Sequence, residues 1–129
     1  MVEASAKSFS FPRSSRLRRR GEFLAVRGGP GYAEGPLAAT WRRRGLADGT
    51  DAKGGLVARV GITVSSKVGG AVVRNRVKRK LREAIRHEIA GLPAVDLVLV
   101  ARPSAIRSEV ADFRAFLRAA RDRMSRGAR

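Results

Sequence analysis

The chain contains no cysteine and a single histidine, His87. Disulfides, thiolate metal sites and cysteine nucleophiles are therefore excluded. A histidine-based metal cluster or a Ser-His-Asp triad has too little to work with. Aromatic residues make up only 5%, so stacking surfaces are scarce. No apolar run approaches the ~20 residues a membrane-spanning helix needs; the longest, Val95 to Ala101, is interrupted by Asp96. The N-terminus lacks the apolar stretch of a secretory signal. These absences predict a soluble, cytoplasmic protein without a membrane partner.

What the 129 residues do contain is positive charge. Lys and Arg number 28 against 11 Asp and Glu, a net charge of +17. Such a domain repels itself, and a polyanion is the natural compensation. Nucleic acid is the leading partner, with an anionic membrane surface the rival. Hydrophobic residues at 43% suffice for one core, and the length fits one domain.

We expect a flexible segment over 1–12, a folded domain over 13–124 and a loose basic tail over 125–129. Arg13 to Arg20 is a basic run without an apolar face. Residues 21–27 can form a short helix, with Glu22 well placed in its first turn, and the glycines at 28, 29 and 31 end it. Residues 36–41 read as a weak strand, 42–55 as a long hairpin loop, and 56–64 as an alternating strand. In that strand Val60, Ile62 and Val64 share one face, and Arg59, Gly61 and Thr63 the other. Gly61 permits close approach to the second face.

Val73, Val77, Leu81, Ile85 and Ile89 recur every four residues and predict a long helix from Ala71 to about Ala90. Gly91 and Pro93 stop it. Val95 to Ala101 reads as a central strand. Ser108 can cap a last helix with Val110, Phe113 and Leu117 facing inward. The expected fold is α+β: a mixed four-stranded sheet packed by helices, in the order α-β-β-β-α-β-α, with a βαβ crossover.

The long helix carries the chemistry. Residues 74–82 hold six positive charges in nine positions. Arg74, Lys78 and Arg82 form one row, Asn75, Arg79 and Arg86 an adjacent strip, and Arg76 and Lys80 flank the other side. Like charges at this spacing oppose helix formation, which makes sense if phosphates neutralise them. One helical turn rises about 5.4 Å, so such a row can track a nucleic-acid strand. Asn75 can reach a base edge, a 2′-OH or a phosphate. Lys67 stands beside glycines able to present backbone N–H groups to an anion. Asp96 is a lone acid at a strand start and reads as a capping or solvent-facing residue. A nuclease acting through its own carboxylates would need a cluster.

The run from Arg59 to Arg79 resembles the signature of the bacterial ribonuclease P protein component, R-x-G-x-x-V-S-K-K-x-G-x-A-V-x-R-N-R-x-K-R. Arg16-Leu17 followed by Phe23, and Asp96 to Arg102, resemble other stretches of that family, so the likeness covers about residues 12–123. The resemblance implies a ribosomal-protein-like fold with a left-handed crossover. It implies the protein subunit of an RNA-based endoribonuclease that removes the 5′ leader of precursor tRNA. The catalytic RNA and precursor tRNA are the implied partners, without an obligatory protein partner. Mg2+ held mainly by the RNA activates the attacking water, and no protein side chain is catalytic.

By position, the resemblance assigns RNA binding to Arg74, Asn75, Arg76, Lys78, Arg79, Arg82, Lys67 and Arg16. It assigns contact with the leader to Phe23, Thr63, Ala101 and Arg59. Ser66 replaces a usual lysine, Gly70 a usual asparagine, Arg27 a second cleft phenylalanine and Thr40 a strand aromatic, so leader binding here leans on charge. A structural RNA binder without a processing role is the alternative.

Overall fold

The computed structural model describes residue 11, residues 15–44 and residues 58–126. The expectations for 1–10, 12–14, 45–57 and 127–129 lie outside these. Helix α1 spans Arg20–Val26, followed by β1 (Gly31–Glu34), β2 (Leu37–Arg43), β3 (Arg59–Thr63), α2 (Ala71–Glu88), β4 (Val95–Ala101) and α3 (Val110–Arg126). Short 3₁₀ turns, Ile89–Gly91 and Pro103–Arg107, follow α2 and β4.

The sheet order is β1-β2-β4-β3, with β3 parallel to β4 and the other pairs antiparallel. Two strands expected to form a hairpin across 42–55 are therefore not neighbours; β4 lies between β2 and β3. The hairpin instead joins β1 to β2 through Gly35-Pro36, where Gly35 takes φ +59, a conformation glycine adopts without cost. β1 has no apolar alternation, with only Tyr32 half-buried and stacked on Phe116 of the last helix, and left no periodicity to read. Beyond the free edge of β3, Arg16 bridges Val60 and the Leu17 N–H donates to the Val60 carbonyl at 3.0 Å.

Strand alternation sends Leu37, Ala39, Trp41, Val60, Leu97 and Leu99 to one face. There they pack with Val77, Leu81 and Ile85 of α2 and Phe113 and Leu117 of α3 into one core. The four-residue stripe of α2 is thus its buried face, as its period requires. Phe11 joins this core at 7% exposure, against its expected place in a flexible segment. Ser125 and Arg126 belong to α3 and not to a loose tail. α3 is not capped by Ser108, whose hydroxyl donates to the Ser104 carbonyl. Instead the Asp112 carboxylate accepts the Glu109 N–H at 2.7 Å, satisfying one of the helix's free donors.

The second face of the sheet is read from the register. Arg42, Asp96 and Arg59 form one cross-strand row; Thr40, Val98 and Gly61 the next; Ala38, Val100 and Thr63 a third. α1 lies over this face. A Cβ on Gly61 would stand 2.6 Å from the Phe23 ring and 3.0 Å from Leu17, so the close approach that Gly61 permits is made by Phe23.

Candidate nucleic-acid interface

Arg74, Arg76 and Lys78 lie in the first half of α2, and no acid occupies its first turn. Arg74 in the first turn opposes the helix dipole and, at i, i+4, repels Lys78, so local helix stability does not explain these charges. On the solvent side of α2, Asn75, Arg79, Arg82 and Arg86 recur at spacings of four, three and four. With Glu83, Phe11 and Arg16 they line a groove of about 480 Å3. The Arg16 guanidinium donates twice to the Phe11 carbonyl, at 3.2 and 2.9 Å, and lies 4.8 Å from the centre of its ring.

The structure thus brings four predicted RNA-binding residues together: Arg16, Asn75, Arg79 and Arg82. Four others do not line the groove. Arg76 is exposed and Lys78 half-buried. Arg74 is half-buried, its Nε enclosed without a hydrogen-bond partner. Lys67 is exposed in the turn before α2, its N–H donating to Ser65 Oγ at 3.3 Å.

Three groove residues were not among the predicted contacts. Arg86 was legible from the helical strip. Glu83 is tied to it: Arg86 donates to both carboxylate oxygens, at 2.7 and 2.9 Å, and His87 Nε2 lies 3.0 Å from one of them. The Arg86 and His87 hydrogen bonds hold the Glu83 carboxyl below its usual value, and Glu83 in turn raises that of Arg86. Phe11 left no signal, because its seat depends on the tertiary fold.

The leader-assigned residues divide between the two faces of the sheet. Phe23, Thr63 and Arg59 belong to the α1 side. Ala101 does not: it pairs with the fully buried Leu37 and is 5% exposed in the core. Side chains alternate along a strand, so the β4 residue sharing Thr63's face is Val100, 40% exposed.

Asp96 is neither a cap nor solvent-facing. It is fully buried, bound by Arg59 Nε and Nη2 at 2.9 and 2.8 Å, with Arg42 at 3.3 Å and Arg44 at 3.5 Å. Arg59 also reaches Glu22 at 3.3 Å. Backbone N–H groups of Arg19 and Arg18 donate to Glu22 and hold its carboxyl below the usual range.

Comparison with known proteins places these features in a family. The family model Ribonuclease P matches residues 11–125. The chain is 45% identical over 96 residues to the ribonuclease P protein component of Brucella melitensis, covering 72% of this chain and 67% of the relative. It is 45% identical over 91 residues to that of Streptomyces avermitilis, covering 69% and 73%. The ribonuclease P protein from Thermotoga maritima superimposes with a TM-score of 0.68 at 27% identity, over 84% of this chain and 96% of the other.

Proposed function

The chain belongs to the ribonuclease P protein family, and from that premise we propose that the α2 groove binds the catalytic RNA while the α1 face of the sheet receives the 5′ leader of precursor tRNA. The protein is the accessory subunit of an RNA-based endoribonuclease that matures tRNA 5′ ends. The family match favours this over a purely structural RNA binder.

The observation that carries the assignment is the convergence of Arg16, Asn75, Arg79 and Arg82 on one groove. Guanidinium groups suit phosphate oxygens geometrically, and Asn75 adds a donor and an acceptor among them. Lys67, Arg74, Arg76 and Lys78 extend the positive field on either side. On the other face the half-buried Phe23 lies over Gly61, in the row between those of Arg59 and Thr63.

In this chemistry a magnesium ion, which we assign to the RNA, would supply a metal-activated water. The buried and half-buried carboxylates among the described residues do not fit the ion. Asp96, Glu22, Glu83 and Glu88 are each engaged by arginine, and no metal-binding group of three His, Cys, Asp or Glu occurs among the described residues. The contribution of the protein is binding and orientation. No helix among the described residues is long and apolar enough to cross a membrane, and we place the protein in the cytoplasm with its RNA partners.

Reconstitution tests the proposal. Adding the protein to ribonuclease P RNA at low magnesium should stimulate cleavage of precursor tRNA. RNA binding without stimulation would favour the structural binder, and cleavage by the protein alone would overturn the assignment of chemistry to RNA.

A further inference from the structure

Asp96 carries more than its place in the sequence suggests. A fully buried carboxylate is costly, and an ion pair in the interior is weak support for stability. Here one carboxylate gathers Arg59 from β3, Arg42 from β2 and Arg44 just beyond it. All lie at the end of the α1 face of the sheet.

The row continues into α1. Arg59, held through Nε and Nη2 by Asp96, extends Nη1 to Glu22 Oε2. The neighbouring Phe23 sits on Gly61 in the next row. Two consecutive residues of α1 are therefore pinned to two consecutive rows, one by charge and one by ring contact. The third row, Ala38, Val100 and Thr63, is made of small side chains, with Val100 and Thr63 exposed.

We propose that Asp96 is a positioning residue for the single-stranded RNA leader. Through Arg59 and Glu22 it fixes α1 over the sheet, and so sets the width of the lane along Ala38, Val100 and Thr63. This rests on the reading that the α1 face takes the leader. It adds a buried acidic residue that acts through Arg59 rather than by touching the leader itself.

The sign of the effect separates positioning from charge. Asp96→Asn removes a negative charge from a cationic site, so electrostatics alone would tighten RNA binding. Loss of position weakens it. Glu22→Gln is the milder variant: its amide oxygen can still accept the Arg18 and Arg19 N–H groups, and only the ion pair with Arg59 is lost.

The test uses the reconstituted complex with precursor tRNA and with the same tRNA lacking a leader. Asp96→Asn should weaken affinity for the leader-bearing substrate by roughly tenfold to a hundredfold, the scale of a displaced binding group. KM should rise with kcat little changed, and affinity for leaderless tRNA and for the catalytic RNA should hold. Glu22→Gln should act in the same direction and decides the matter if Asp96→Asn does not fold by circular dichroism. Unchanged or tighter leader binding in a folded variant overturns the proposal. A wild-type complex that does not distinguish the two tRNAs overturns the reading of the α1 face as well.

Discussion

Substituting Gly61 with alanine should disturb both stability and the α1 face, by an amount the geometry defines. The added Cβ would lie 2.6 and 2.7 Å from two ring carbons of Phe23 and 3.0 Å from Leu17 Cβ. Carbon atoms in contact sit about 3.5–4.0 Å apart, so the ring must retreat by roughly 1 Å. Gly61 is in a strand paired to β4, which leaves α1 as the part that yields. Overpacking of this kind costs about 1–3 kcal/mol. At this chain length each kcal/mol lowers Tm by about 3–6 °C. Urea denaturation and thermal melting read the cost directly. A double-mutant cycle locates it: in a Phe23→Ala background the main obstacle is gone, and Gly61→Ala should lose at least about 1 kcal/mol of its cost. Equal cost with and without the ring would refute the seating of Phe23 on Gly61.

Three further outcomes follow from the charged groups. Replacing Arg79 and Arg82 together by alanine should flatten the plot of log affinity for the catalytic RNA against log salt by about 1.4–1.8, the release expected for two phosphate contacts; filter binding across a salt series measures it, and parallel lines would remove both residues from the interface. Glu83→Gln should free Arg86 for phosphate and tighten RNA binding by roughly twofold to fivefold, the modest scale of an exposed pair; weaker binding would mean that Glu83 instead orients Arg86. Burial of Glu88 raises its carboxyl value, but hydrogen bonds from Arg114 and Arg118 outweigh this and leave it below 4.5. Its contribution is thus full above the unfolded value and lost as pH falls through the lower folded one, so Glu88→Gln should remove that part of the acid-induced loss of stability followed by urea titration, while costing about 1 kcal/mol at neutral pH.

Local periodicity made much of this protein legible from its residues. The stripe through Val77, Leu81 and Ile85 and the basic strip through Asn75, Arg79, Arg82 and Arg86 both follow from the 3.6-residue turn of a helix. That rule needs no information from elsewhere in the chain. The run from Arg59 to Arg79 likewise carried the family in its order of residues. Non-local pairing decided the rest. β4 enters between β2 and β3, and this burial turns Ala101 inward, exposes Val100 and seals Asp96 among three arginines. The same packing brings Phe11 and Arg16 against a helix some sixty residues away. A strand's alternation tells which residues share a face, but only the neighbours it acquires determine which face meets the core and which is left for a ligand.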